Sequence, residues 1–256
     1  MPRKPRNMSA TGVYHIMIRG IDKMRIFMDD ADCITFLTLL EFYAADNFIL
    51  LAYCLMGNHL HLLVKVADDA LEQVMKGLGV RYVSYFNRRY QRTGPLFQGR
   101  FKSQPVTTTG YFLRVLRYIH NNPVKAGLAP TMADYQWSSY RDYFGPARSN
   151  PLCCVNTSYT LSLRDVEWLR SWHSQPELNC RGFLENEKLP AATDEELRCL
   201  IRRMSGKESH ELHLYPEATI RPLLRRLVNE EGIRISQLSR TTGISRGQIK
   251  RLLLNG

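Results

Sequence analysis

The sequence predicts an α+β fold with a mostly antiparallel sheet, followed by a small helical region. Three observations predict it: apolar runs of strand length, longer segments with helical spacing, and a change of pattern beyond Pro146. The chain has 256 residues, of which 44% are hydrophobic and 10% aromatic. A packed core is therefore expected, and wholesale disorder is excluded.

Strand and helix patterns alternate through the first 145 residues. The predicted elements are a strand over 12–19, a helix over 29–48, strands over 49–56 and 59–66, and helices over 70–90 and 110–122. Gly57 and Asn58 supply turn chemistry between the second and third strands, which predicts a hairpin. Pro123 is expected to end the last of these helices at about Asn122.

Beyond Pro146 the sequence predicts helices alone, over 162–172, 193–205, 222–231, 235–243 and 244–254. The last two are separated by Gly243, and Ser245 is placed to cap the second, which is the pattern of a helix-turn-helix. We expect three segments: a catalytic domain over 1–146, a helical linker over 147–220 with no role that the residues indicate, and a helix-turn-helix over 221–256. Arg246 and Lys250 are its candidate contacts with duplex DNA.

Charge indicates a polyanionic partner. Lys and Arg number 35 against 24 Asp and Glu, for a net charge of +11. No acidic residue occurs from Val74 to Ala133, a stretch with ten cations and interleaved aromatic residues. Basic groups for phosphates with flat rings for bases are typical of a single-stranded nucleic-acid groove. The alternatives are that the rings are core and the cations solvated, or that the partner is an anionic membrane surface.

Several other classes are not expected. No apolar run reaches the roughly 18 residues that a membrane-spanning helix needs, and the basic first residues lack the apolar stretch of a signal peptide. The six cysteines form no C-x-x-C pair and no disulfide framework for this length. A cytoplasmic protein in a reducing compartment, with no membrane partner, is the expectation.

Two groups of residues suggest chemistry. Side chains alternate along a strand, so His59 and His61 share one face, where two imidazoles are two ligands of a divalent metal ion that needs a third. A pair of half-exposed strand histidines is the alternative. Tyr118 and Asn122 are neighbours on one helical face, with Arg114 one turn earlier. A tyrosine hydroxyl beside an amide and cations suits attack on a phosphodiester; a surface tyrosine with an asparagine cap is the alternative.

Four motifs give the chain a family resemblance. They are YCLMGNHLHLLV over 53–64, LFQGRFKS over 96–103, RYIHNNPVKAGL over 117–128 and WSSYRDY over 137–143. Together they resemble the IS200-like tyrosine transposases, in particular the REP-associated ones, over residues 9 to 146. Gly57 stands where the family commonly has Pro, and Asn121 where it often has Leu.

The resemblance implies a single-strand DNA endonuclease and strand transferase with a ferredoxin-like (RRM-like) sheet and helices on one face. His59, His61 and Asn122 would hold Mg²⁺ or Mn²⁺, and Tyr118 would be the nucleophile that leaves a 5′-phosphotyrosine and a free 3′-hydroxyl. The implied substrates are palindromic hairpins with flanking single strands. The candidate cations for DNA are Arg100, Lys102, Arg114 and Arg19. Relatives act as dimers or as monomers, so a homodimer stays open.

Other readings of the same residues remain. The chain could be a catalytically silent hairpin-binding protein, an RNA-binding module, or a metallohydrolase that uses water with Tyr118 incidental. Tyr111 is a rival nucleophile. His15 either lies behind the metal ligands or is an ordinary sheet histidine, and His120 is expected to pack or to contact DNA.

Overall fold

The computed structural model describes residues 8–66, 70–145, 155–175, 194–229 and 233–254. The chain divides into two compact units, one formed by residues 1–107 and 115–175 and the other by residues 108–114 and 176–256. Residues 155–175 therefore cluster with the first unit, although the sequence predicts a boundary at 146. The expected functional segments 1–146, 147–220 and 221–256 stay a prediction.

The first unit is built on an antiparallel sheet. Its elements are β1 (Val13–Arg19), α1 (Asp30–Asn47), β2 (Phe48–Met56), β3 (His59–Val66), α2 (Ala70–Arg89), β4 (Lys102–Pro105), α3 (Thr109–Lys125, from Val115 onward), α4 (Tyr140–Phe144), α5 (Thr157–Leu163) and α6 (Val166–Ser174). The strand order is β2-β3-β1-β4, and each neighbouring pair is antiparallel. The predicted α+β class is confirmed.

Helices cover both faces of this sheet, whereas the sequence and its resemblance predict helices on one face. One face, with Ile16 of β1 and Leu62 of β3, joins α1 and α2 in the main hydrophobic core. On the other face, the ring of Tyr118 in α3 lies 5.3 Å from that of His61. The physical reason is that seven of the eight residues of β3 are buried, so both sides of this strand need cover.

The helix α3 continues past Pro123 to Lys125, so the predicted end at Asn122 is wrong. Proline removes one backbone donor, but the helix closes with a two-bond C-terminal motif. Gly127 has φ +68° and donates to the carbonyl of Val124, while Leu128 N–H donates to the carbonyl of Pro123. Glycine is favoured there because other residues rarely adopt positive φ. Asn122 is therefore an interior helical residue, not a terminal cap.

Two further elements differ from the prediction. β4 is absent from the predicted elements because its sequence, KSQP, is polar, as befits a short strand at the sheet edge. The helix predicted over 162–172 is two helices, α5 and α6. Asp165 separates them, because its side chain accepts from the N–H of Trp168 (2.8 Å) and starts a new helix.

The second unit is helical where the structure describes it. Beyond residues 108–114 it contains α7 (Asp194–Ser205), α8 (Glu217–Asn229), α9 (Ile235–Thr242) and α10 (Arg246–Leu254), which share a core that includes Leu200, Leu224 and Ile249. Gly243, at φ +74°, ends α9, and the hydroxyl of Ser245 accepts from the N–H of Gln248. The predicted ends at Thr193 and Glu231 lie outside the described residues. Within the described ranges, no helix has the length and apolarity needed to cross a membrane.

Candidate active site

The candidate site lies on the sheet face that meets α3. His59 and His61 point to this face, because side chains alternate along β3. Cross-strand partners in an antiparallel sheet share a face. Arg19 is paired with His59, and Met17 is paired with both His61 and Lys102. The sheet register therefore brings two predicted DNA-binding cations, Arg19 and Lys102, to the side of the two histidines.

Hydrogen bonds orient both imidazoles in the same way. Nδ1 of His59 lies 2.6 Å from Oδ1 of Asn58, and an amide oxygen only accepts, so Nδ1 donates. Nδ1 of His61 lies 3.1 Å from Nε2 of His15. When this Nδ1 also donates, Nε2 carries the lone pair in both rings. A metal-binding histidine is usually held by such a bond from its other nitrogen.

Burial keeps the imidazoles of His15 and His61 neutral. Desolvation lowers the pKa of His15 to about 3. The pKa of His61 is held well below its usual value by burial first and then by the neighbouring His15 and His59. A neutral imidazole has the lone pair that a metal ion needs. At neutral pH the His61 ring is therefore in the form suited to ligation.

Tyr118 completes the contact between α3 and the histidines. Its ring centroid lies 5.3 Å from that of His61 and 5.9 Å from that of His15. The Lys125 ammonium lies 5.4 Å from the Tyr118 ring centroid, which puts a positive charge beside the phenol. Tyr118 itself is only 4% exposed. The fold thus joins two motifs that are far apart in the sequence.

Asn122 lies one helical turn after Tyr118 and is buried. Among the described residues, neither Nδ2 of Asn122 nor Nε2 of His61 has a hydrogen-bond partner. A buried polar atom without a partner costs about 1–3 kcal/mol, which indicates that a ligand belongs there. Rotation of the amide by half a turn exchanges its nitrogen for its oxygen, the atom that ligates metals.

The donor set fits a divalent cation only if Asn122 takes part. No group of three or more His, Cys, Asp or Glu side chains that could hold a metal ion occurs in the described part of the chain. Two imidazole nitrogens and one amide oxygen make three ligands of mixed type, and further positions stay open for a phosphate oxygen. The expected ligands His59, His61 and Asn122 thus fit a metal ion as a set.

The other predicted cations have surroundings of their own. Arg100 forms a 3.7 Å ion pair with Glu72 and lines an apolar cavity of about 660 Å³ with Ile18, whose side chain is in the core on the α1 and α2 side. The Arg114 guanidinium lies 5.9 Å from the ring centroid of Tyr111. Burial raises the pKa of Tyr111, which disfavours its phenolate. Arg246 and Lys250 are exposed on α10.

Two polar partners escaped the sequence prediction. The sequence predicts only a turn role for Asn58. Its position directly before His59 is the sequence feature that could have indicated the hydrogen bond between them. His173 hydrogen bonds to His120, from which it is 53 residues distant, and no local pattern links them. His15 is hydrogen bonded to His61 and lies behind it, in agreement with one of the two interpretations given for His15 from the sequence. His120 packs in the interior and is fully buried, which agrees with the packing alternative.

The comparison with known protein families matches part of the chain. Residues 9–122 match the family model described as "Transposase IS200 like". The resemblance that the sequence motifs predict is confirmed: these residues are similar to the IS200-like transposases.

A solved structure described as "Structure of the REP associates tyrosine transposase bound to a REP hairpin" is similar to this chain. The similarity covers 61% of this chain and 93% of that chain, with 14% sequence identity and a TM-score of 0.46. No match is found among the curated proteins.

Proposed function

We propose that the protein is a single-strand DNA nuclease and strand transferase that acts on hairpin-associated DNA in transposition. The family match of residues 9–122 supports a transposase role. The observation that carries the mechanism is the 5.3 Å ring contact between Tyr118 and His61, on the face where both histidines turn Nε2 away from their buried partners. The element order and the strand order β2-β3-β1-β4 support a ferredoxin-like (RRM-like) fold.

In this proposal Tyr118 attacks the scissile phosphorus. Its phenolate oxygen forms the new P–O bond, and the bond from phosphorus to the 3′ oxygen breaks. The products are a 5′-phosphotyrosine and a 3′ oxygen that takes a proton to become a hydroxyl. The Lys125 ammonium beside the ring stabilises negative charge on the tyrosine. Because a phosphoester is exchanged for a phosphoester, the bond can be passed on to another DNA end.

His59, His61 and Asn122 would hold the metal ion, Mg²⁺ or Mn²⁺. A bound divalent ion polarises the phosphate and offsets the charge that builds up in the transition state. His15 and Asn58 keep the two imidazoles in the tautomer that presents Nε2. Imidazole nitrogen is a better ligand for Mn²⁺ than for Mg²⁺, so Mn²⁺ should support activity at lower concentration.

The DNA backbone would follow the histidine face. Arg19 in β1 and Lys102 in β4 share this face, and both lie on the same side of the histidine strand β3. Nε of Arg19 is buried without a hydrogen-bond partner among the described residues, so a phosphate would satisfy it. Arg100 and Arg114 are further candidate contacts with the DNA. The helices α9 and α10 would form a helix-turn-helix, with Arg246 and Lys250 on duplex DNA. A cytoplasmic location follows from this DNA substrate, and a homodimer remains open.

A silent hairpin-binding protein is the second candidate, because Tyr118 is 4% exposed and a phosphate must reach its hydroxyl. One experiment separates the two. The protein is incubated with 5′-labelled and 3′-labelled hairpin oligonucleotides from the palindromes flanking its gene, with Mn²⁺ or Mg²⁺, and the products are resolved on denaturing gels.

A protein–DNA adduct that holds only the strand downstream of the cut, and that is lost in Tyr118→Phe, supports the nuclease. Cleavage that persists in Tyr118→Phe moves the nucleophile to water or to Tyr111. Tight binding without cleavage on every substrate favours the silent protein.

A further inference from the structure

A second pair of buried histidines lies on the opposite side of α3 from Tyr118. His120 follows Tyr118 by two residues, which turns its side chain about 200° around the helix. Both His120 and His173 of α6 are buried, His120 completely. Nothing in the proposed chemistry uses them.

These histidines belong to a hydrogen-bonded chain whose direction is fixed at one end. Nδ1 of His173 lies 2.8 Å from the carbonyl oxygen of Leu169 and must donate to it. Nε2 of His173 therefore accepts from Nδ1 of His120, 3.0 Å away. Nε2 of His120 in turn accepts from the hydroxyl of Ser139 at 2.9 Å, which is shorter than the 3.2 Å from the same hydroxyl to the Tyr53 carbonyl oxygen, its other acceptor. That hydroxyl oxygen accepts from the N–H of Tyr53 in β2, at 3.0 Å.

The chain ties α3 to the strand beside the candidate metal ligands. Tyr53 precedes Cys54, which is paired with His61 across β2 and β3. The segment before α4 is itself held at the edge of β2, because Ser139 N–H donates to the Tyr53 carbonyl (3.0 Å) and Ser138 is bridged to Cys54. The connection therefore runs from α6 through α3 and Ser139 to the sheet.

A second contact between α6 and α3 lies on the other flank of Tyr118. The Arg117 guanidinium donates to the carbonyl of Gln175 (2.5 Å) just after α6, and it lies 5.3 Å from the ring centroid of Trp172. Residues 117 and 120 are thus both attached to the end of α6. Residues three apart are neighbours on one face of a helix, so the two attachments hold that face of α3 against the end of α6 and restrain its rotation.

A second catalytic centre is excluded by access. Ser139 and His120 have the hydrogen bond of a serine nucleophile and its base, but the exposed fraction of both residues is 0%. No substrate reaches this serine in the folded protein. The chain instead joins packed elements, and all four ring nitrogens have partners.

We propose that His173 is a positioning residue for the nuclease site, acting through His120 and Ser139. By fixing the rotation of α3, it sets where Tyr118 and Asn122 stand relative to the histidines of β3. Misplacement of a reacting group by about 1 Å costs roughly 10²-fold in rate. This inference rests on the proposed function, and it gives α6 a role within the segment 147–220.

The test compares His173→Leu with His173→Gln. Leucine fills the space without hydrogen bonds, whereas glutamine places an oxygen near the position of Nε2 and keeps an acceptor for His120. We expect single-turnover cleavage by His173→Leu to be about 10- to 100-fold slower. Hairpin affinity should stay within about threefold, since the Arg19 and Lys102 face is unchanged. His173→Gln should recover most of the rate.

Mn²⁺ binding, followed by electron paramagnetic resonance, gives a readout that needs no cleavage. His173→Leu should bind Mn²⁺ more weakly than wild type, because Asn122 moves with α3, and His173→Gln should bind it nearly as well. Far-UV circular dichroism checks that each variant folds. If His173→Leu does not fold, Ser139→Ala removes only the hydroxyl that donates to His120, and a roughly three- to tenfold slower cleavage is expected.

A folded His173→Leu that cleaves and binds Mn²⁺ like wild type would overturn the positioning role alone. Equal losses of cleavage and of hairpin affinity, with no recovery by glutamine, would overturn it in favour of a purely structural role. A wild-type protein that neither cleaves nor binds Mn²⁺ would refute the proposed function and this inference with it, and Tyr118→Phe marks the background of the assay.

Discussion

The helix α3 has a buried histidine cluster on each side, and the two clusters differ in how their nitrogens are satisfied. On the sheet side, Nε2 of His61 has no hydrogen-bond partner within the described residues, although its ring is completely buried. On the opposite side, each ring nitrogen of His120 and His173 has a partner. His59 and Tyr118 keep 9% and 4% exposure on the sheet side, whereas His120 on the opposite side is fully buried.

The difference distinguishes a ligand-binding site from a structural cluster that holds α3 in place. Buried polar groups in proteins are nearly always paired, so a buried nitrogen left open indicates a place kept for a ligand. A completed chain stiffens the elements that it joins and binds nothing further. The site needs the support, because a metal ligand and a nucleophile act only if α3 holds them at fixed positions.

The largest effect is expected from the sheet-side cluster of His15, His59 and His61, in which Nε2 of His61 has no hydrogen-bond partner within the described residues. His61→Leu should reduce cleavage by more than about 10³-fold, since it removes a proposed metal ligand that lies against Tyr118. The free energy of unfolding should change by no more than about 1 kcal/mol, because an unsatisfied buried nitrogen disappears while His15 loses one bond. Cleavage is measured in single turnover and stability by urea denaturation. A strongly destabilised His61→Leu would show that the two clusters are alike.

The cluster of His120 and His173, whose ring nitrogens all have partners, should instead lose stability when a histidine is replaced. His120→Leu leaves Nε2 of His173 without its donor and removes one of the partners of the Ser139 hydroxyl, so it should destabilise the protein by about 1–3 kcal/mol. Urea denaturation at pH 7 measures this loss, with Arg100→Ala as a surface control. An unchanged denaturation midpoint would mean that the chain adds nothing to stability.

Stability should also depend on pH through His173 in the second cluster. Burial, together with the nearby Arg117, lowers the pKa of His173 to about 4. Between pH 6.5 and 4 the unfolded chain binds a proton that the folded protein does not, so the unfolding free energy falls as the pH is lowered. The slope from this group is at most about 1.4 kcal/mol per pH unit, and the effect vanishes above the unfolded pKa of about 6.5.

The same window contains an opposing group, Asp142, whose pKa burial raises to about 7. The difference between wild type and His173→Gln isolates the histidine. When the pH is lowered from 7 to 5, the denaturation midpoint of wild type should fall relative to that of His173→Gln, because Asp142 contributes equally to both proteins. Equal differences in both proteins would show that His173 titrates alike in the folded and unfolded states. His120 and the rings of Tyr140 and Phe144 surround His173 and are the same in both proteins.

The sequence predicts what local pattern determines. The long helices and central strands have apolar periodicity, and the candidate site residues His59, His61, Tyr118 and Asn122 lie in short motifs. The strand β4 is not predicted because its four residues lack the apolar pattern of a strand. The end of α3 is predicted too early because Gly127, four residues after Pro123, lets the helix close later.

Long-range partners could not be predicted from these patterns. The bond between His15 and His61 spans 46 residues, and the bond between His120 and His173 spans 53. Neither pair has a spacing of helix or strand, so only the packed fold decides that they meet. The roles of the site residues themselves stay predictions until cleavage and metal binding are measured.

A smaller effect should separate cations on the histidine face from those away from it. Arg19→Ala should weaken hairpin binding by about three- to tenfold, because each lost phosphate contact costs of the order of 1 kcal/mol. Arg100→Ala should change affinity less, since Arg100 is already paired with Glu72 on the α2 side. Filter binding at several salt concentrations measures both. Equal losses would mean that the DNA also crosses the α2 side.

The smallest effect concerns α10, where two neighbouring cations serve as test and control. Lys250 and Arg251 are both exposed, but Arg251 is hydrogen bonded to Glu217 of α8. Lys250→Ala should weaken binding to a duplex oligonucleotide about two- to fivefold and reduce its salt dependence, because a phosphate contact is lost. Arg251→Ala should leave duplex affinity nearly unchanged, since its charge is already partnered. Hairpin cleavage should be unaffected in both variants. If Arg251→Ala weakens duplex binding as much as Lys250→Ala, general positive charge, and not the groove-facing side of a helix-turn-helix, accounts for the affinity of this unit.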